Sequence, residues 1–191
     1  MKFTGLTTNT RKNIQLDAGA LYKNYVPGTD TPATAAAKLI GATEGGATLG
    51  ITPEIRQIPV DGVKGPTKGY EVMESVTATI QANIKEVTAS SVKLALAAAT
   101  VDTATMTGYS KITINEEIVD ADYIDNITWI GKISGSTDPI MIVMKNVLCL
   151  NGFSFAVKDK GEGVVPVTLT AHYDVSDLDS VPVEFYIPDV A

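Results

Sequence analysis

The stretch IRQIPVDGVKGPTKGYEVMESVTATIQANIKEV, Ile55 to Val87, decides the fold, because it joins a loop rich in Gly, Pro and Lys to the clearest alternation in the chain. Val76, Ala78, Ile80, Ala82 and Ile84 alternate with Thr77, Thr79, Gln81, Asn83 and Lys85. Successive side chains of a strand point to opposite faces, so the pattern predicts a strand with one dry face and one wet face. At roughly 3.3 Å per residue the run from Val76 to Val87 would extend about 40 Å, far beyond the usual strand of about 5 to 6 residues.

Upstream, Leu49, Ile51 and Ile55 share one parity, and Ile58 and Val60 take the other. That switch, beside Pro59, predicts a β-bulge or bend near Gln57 and Ile58. Asp61 to Gly69 is then the loop between two long strands. Downstream, TASSVKLALAAA predicts a helix over 88–99, with Thr88 as N-cap, Val87 stapled onto Val92, and an apolar stripe of Val92, Ala95, Leu96 and Ala99.

The rest of the chain reads as strands and loops. Residues 1–13 are polar and Thr-rich, a segment expected to stay flexible until a partner orders it. IQLDAGALYKNY, from Ile14, predicts two short strands about a turn at Gly19, and the Thr-rich VDTATMTGYS, from Val101, a linker or excursion. Strands return in KITINEEI, YIDNITWIGKI, PIMIVMKNVLCL, GFSFAVKD, VVPVTLTAHYD and VPVEFYIP. The fold class expected is mainly β, an antiparallel β-sandwich or barrel with one packed α-helix. A chain of 191 residues, 45% hydrophobic and 19% charged, fits one globular domain, 1–191.

Charge and chemistry exclude several functions. A net charge of −7 with only 15 Lys and Arg opposes nucleic-acid binding, which needs clustered cations. A single cysteine, Cys149, rules out an internal disulfide framework. The N-terminus has no apolar signal core and the chain no apolar run of bilayer length, so folding in the cytosol is expected.

Cys149 in NVLCL reads as a buried thiol, His172 in LTAHYD as a solvated histidine, and a Cys–His dyad would need the fold to bring them together. GATEGGATLG and GVKGPTKG lack the spacing of phosphate-binding loops. Asp174, Asp177 and Asp179 are the best oxygen ligands for a hard cation, but they lack the calcium-loop pattern and read as a solvated acidic loop. No catalytic residue, metal site or cofactor is predicted.

Several segments together are similar to a known family. The Gly-rich lead-in to Glu54–Arg56, the VDGVKGPTKG loop, the TASSVKLAL helix directly after the second long strand and the late VPVTLTAHYD strand resemble the major tail tube proteins of tailed bacteriophages and their prophage relatives. The likeness runs from about Ile14 to Ile187. It implies a non-enzymatic virion subunit, made in the host cytoplasm, that closes into hexameric rings. Those rings would stack into a hollow tube around a tape-measure protein, meet tail terminator and baseplate or distal tail proteins, and conduct DNA without binding it specifically or touching a membrane. The family carries no catalytic residue and no cofactor.

Two expectations about residues follow. Asp61, Gly62, Val63, Lys64, Gly65, Pro66, Thr67, Lys68 and Gly69 should contact an adjacent subunit or ring, and Thr77, Thr79, Gln81 and Asn83 should face the lumen. The alternatives are another virion β-sandwich, such as a terminator, a capsid decoration protein or a host-binding module, and a sugar-directed β-sandwich hydrolase or lectin using the acidic loops.

Overall fold

The computed structural model describes residues 4–155, 157 and 159–190. Nine strands and one α-helix lie among them: β1 Gln15–Lys23, β2 Thr43–Gln57, β3 Glu71–Ile84, α1 Ala89–Leu94, β4 Ala99–Asp102, β5 Lys111–Ile114, β6 Ile124–Ile133, β7 Ile140–Cys149, β8 Val165–Ala171 and β9 Val183–Tyr186. The main sheet has the order β1-β6-β7-β8-β3-β2, with β9 paired to β7. Every pairing is antiparallel. The protein is therefore mainly β.

The sheet curls until its two edges almost meet. Tyr22 of β1 bridges Leu39, just ahead of β2, and the Ile40 N–H donates to the Leu21 carbonyl at 2.9 Å. The predicted alternation supplies the inner lining: Val76, Ala78, Ile80, Ala82 and Ile84 of β3 are buried, as are Val165, Val167, Leu169 and Ala171 of β8. All of these but Val76 pack with Leu21 of β1, Ile127 of β6, and Met144 and Val147 of β7. Each fully buried Ile or Leu here contributes about 1.5–3 kcal/mol relative to exposure.

Within residues 14–25, Gln15–Lys23 forms one bulged strand, where two strands about a turn were expected. Leu16 pairs with Lys132 and Ala20 with Ile130, so Asp17, Ala18 and Gly19 together face Gly131. The Trp129 indole occupies the space the bulge opens and donates from Nε1 to the Ala18 carbonyl at 3.0 Å. A Cβ on Gly19 would lie 2.6 Å from that nitrogen, and one on Gly131 would lie 2.1 Å from the indole ring. Both positions therefore need glycine.

The helix is shorter than the expected 88–99. Thr88 caps it as predicted, its Oγ1 accepting the Ser91 N–H at 3.1 Å, while Ser91 Oγ accepts the Thr88 N–H at 2.8 Å. The helix ends at Leu94 because the following alanines are claimed elsewhere. The Ala98 carbonyl accepts the Asn115 N–H at 3.1 Å, and Ala99 opens the β4–β5 ribbon. That ribbon is the structure of the Thr-rich excursion. Its turn is held by Asp102, whose carboxylate accepts the Ala104 N–H at 2.7 Å.

One further expectation meets a different structure. In GFSFAVKD no strand forms among the described residues; Phe153 and Phe155 stack instead, with centroids 6.4 Å apart, and Ala156 and Lys158 lie outside the described residues. Within 1–13, Thr10–Asn13 forms a 3-10 turn, followed by Ile14, whose carbonyl accepts the Ser134 N–H at 3.0 Å.

Candidate assembly interface

The long hairpin leaves the body of the protein. Strand β8 pairs with β3 only from Thr79 to Ile84, so among the described residues β3 from Glu71 to Ala78 has β2 as its one strand partner. The Tyr173 hydroxyl accepts the Val76 N–H at 3.2 Å and marks the foot of this free section. Beyond it, Glu71 to Glu74 and Thr52 to Gln57 are exposed on both faces. A solvated two-stranded ribbon is marginally stable alone.

A bulge redirects the arm, closer to the body than the parity switch at Gln57 and Ile58 implied. Glu54 pairs with Ser75 but Ile55 pairs with Met73, which leaves Glu74 as the extra residue of β3. Bulges bend a strand and increase its twist. Polar contacts surround the kink: Arg56 pairs with Glu74, and the Ser75 hydroxyl donates to Glu54 Oε2 at 3.1 Å. Past it, Ile55 and Met73 stand opposite each other, 56% and 59% exposed.

The tip is a folded cup. The Ile58 N–H donates to the Tyr70 carbonyl at 2.8 Å, closing the ribbon. The Val63 N–H donates to the Val60 carbonyl at 3.2 Å, and the Tyr70 N–H to the Thr67 carbonyl at 3.1 Å. Ile58, Pro59, Val60, Val63, Lys64, Thr67 and Tyr70 line a shallow hollow of about 400 Å³. Much of the Asp61–Gly69 loop thus forms one wall of an apolar hollow, a feature its Gly, Pro and Lys content did not reveal.

The wet face of β3 is a polar lane. Thr77, Gln81 and Asn83 are exposed and Thr79 is half-buried. Thr52, Gly50 and Thr48 of β2 stand opposite Thr77, Thr79 and Gln81, and Thr170 and Thr168 of β8 stand opposite Thr79 and Gln81. The lane from Thr77 to Gln81 carries small uncharged groups across three strands.

The chemically reactive residues do not converge. Cys149 is buried, its Sγ 2.9 Å from Asn151 Oδ1, and burial pushes its thiol pKa up. His172 is half-buried and not solvated as expected: its Nδ1 lies 3.0 Å from the Asn146 carbonyl, and Tyr123 packs edge-on at 5.2 Å. The two side chains thus have separate partners. Asp174 spends its carboxylate on its own turn, accepting the Ser176 N–H at 2.8 Å and hydroxyl at 2.6 Å, which lowers its pKa. Among the described residues no three His, Cys, Asp or Glu side chains are grouped to hold a metal ion. The hollow beneath α1, beside Leu94 and Cys149, is about 100 Å³, below the roughly 300 Å³ of a small-molecule site.

No protein-family model and no curated protein matches the sequence. Among solved structures, the chain is similar to one from the tail of an empty GTA particle refined helically with C6 symmetry. The TM-score is 0.46 at 9% identity, over 89% of this chain and 96% of that one. A likeness that loose leaves the arm's own geometry as the basis for function.

Sequence reading missed the exposure of the arm. Ile55, Val72, Met73 and Tyr70 look like core residues by type, yet all are exposed. One signal was present: Met73 and Val76 are both apolar but lie on opposite parities, which a single dry face cannot accommodate without a bulge.

Proposed function

We propose that the protein is a structural subunit of a phage-type tail tube: six copies close into a ring, rings stack around a tape-measure protein, and DNA passes through the bore. The observation that carries this reading is the arm, a ribbon whose apolar cross-strand pair Ile55–Met73 is left exposed among the described residues. Exposed apolar surface of this kind marks an interaction site. The resemblance of the hairpin, helix and final strands to tail tube proteins supports the same conclusion.

Assembly would use the free edges. The edge of β3 from Glu71 to Ala78 that faces away from β2, and the edge of β9 that faces away from β7, have no partner strand among the described residues. Unpaired edges favour joining to another chain, and closure into a ring removes them. A head-to-tail contact closes when its rotation fits, while stacking along the axis does not close and gives a filament. The Asp61–Gly69 loop reaches the adjacent subunit or ring, and Thr77, Thr79, Gln81 and Asn83 face the bore. Uncharged hydroxyls and amides there, with an overall charge of −7, give DNA no cationic site to hold it. Residues 1–13 settle on a neighbour during assembly.

Sedimentation velocity and negative-stain electron microscopy over a range of concentrations test this directly. Hexamers or hollow tubes are expected from the purified protein. Compact monomers at every concentration would overturn it.

A further inference from the structure

The acidic loop after β8 carries an apolar feature that matches the cup on the arm. Val175 is 92% exposed and Leu178 is 68% exposed, and Asp174, Asp177 and Asp179 surround them with no Lys or Arg in the loop. The turn is held from within: the Asp177 N–H donates to the Asp174 carbonyl at 3.1 Å, and Ser176 donates to the Asp174 carboxylate. Val175 and Leu178 thus project from a fixed turn as an apolar knob in an acidic collar.

The cup has the opposite character. Ile58, Val60, Val63 and Tyr70 are all exposed, and Lys64 and Lys68 take part in none of the ion pairs found among the described residues. The knob of the same chain takes no part in the cup, whose lining residues all lie between Gln57 and Tyr70.

We infer that the cup of one copy receives the Val175–Leu178 knob of a second copy, with Lys64 and Lys68 facing Asp174, Asp177 and Asp179. Cup and knob are different surfaces, so the contact is heterologous and repeats head to tail. Apolar fit supplies the attraction, and the complementary charges select the partner and its register. This inference rests on the self-assembly proposed above and names the surfaces that perform it.

Paired cysteines, Val63→Cys with Val175→Cys in a Cys149→Ala background, test the contact. Mild oxidation of assembled protein should give a ladder of covalent multimers on non-reducing gels, because a disulfide forms only when the two Cα atoms come within about 7 Å. A second arm of the test reverses the charges. Lys64→Glu with Lys68→Glu, or Asp177→Lys with Asp179→Lys, should each raise the critical assembly concentration at least about tenfold, and mixing the two variants should restore it. Melting temperatures like the wild type's will show that each variant folds. Normal assemblies with no ladder and no charge effect would overturn the contact and leave the tube reading standing. Wild-type protein that never assembles would overturn both.

Discussion

Ile55 and Met73 face each other across the β2–β3 pair one step beyond the bulge at Glu74, and both lie in water. An aliphatic cross-strand pair contributes roughly 0.2–1 kcal/mol to its own ribbon, but burial against another surface would contribute several times more. Replacing both with serine should therefore lower the isolated subunit's unfolding free energy by no more than about 1 kcal/mol while abolishing higher-order assembly. Denaturant titration beside sedimentation velocity checks both halves. Unchanged assembly would mean that this pair stays wet.

The Trp129 seat predicts a sharp cost. A Cβ at Gly131 would sit 2.1 Å from the indole ring, so Gly131→Ala should destabilise the subunit by about 1–3 kcal/mol through overpacking. Shrinking the indole with Trp129→Leu should relieve that clash, making the two substitutions non-additive in a double-mutant cycle. Additive losses would show that the ring moves aside freely.

The capping box makes Ser91 more sensitive than a surface serine. It is buried, its hydroxyl donates to the Glu86 carbonyl at 2.6 Å, and it accepts the Thr88 N–H at 2.8 Å. Ser91→Ala leaves both backbone groups without that partner and should cost about 1–3 kcal/mol. Thr88→Ala should cost about 1 kcal/mol. Thermal unfolding that ranks the two in the reverse order would contradict this account of the cap.

Asp30 fixes the loop between β1 and β2. Its carboxylate accepts from Lys38 Nζ at 2.5 Å and from the Val26 N–H at 2.8 Å, and these bonds, that to Lys38 foremost, lower its pKa. A folded-state value below the unfolded one means that the associated stability is present above about pH 4 and is lost as pH falls through the lowered value. Acid titration of the melting temperature should accordingly show a loss below pH 4 that Asp30→Asn diminishes. An identical profile in that variant would assign the acid sensitivity to other carboxylates.

The body of the fold was legible because its signal is local. Alternation in β3 names the same residues that line the curled sheet, and Thr88 caps the helix where its side-chain chemistry says it should. The arm was not legible in the same way. Whether Ile55 or Met73 meets core or water depends on how far β8 runs beside β3, and that is a property of register between distant segments. The β4–β5 ribbon was hidden for a related reason: Ala98 and Ala99 fit a helix by propensity, but pairing with Ile112–Asn115 overrides it. The cup at the tip brings Ile58 and Val60 beside Tyr70 through the turns of the loop between them, and strand alternation carries no signal for a loop's turns.

The polar lane on β3 offers a test of which face of the sheet meets the bore of the proposed tube. Thr77, Gln81 and Asn83 are exposed in the single chain, so cysteines placed there one at a time, in a Cys149→Ala background, should react readily with a bulky maleimide on free subunits. If the lane lines the bore, the same cysteines should be protected in tubes, because a bulky reagent enters a long narrow channel only from its ends. A cysteine at Ile114, exposed on β5 and away from the lane, gives a reference for labelling outside it. Equal labelling of lane cysteines in tubes and free subunits would place the lane on the outer wall and would require another face of the sheet to line the bore.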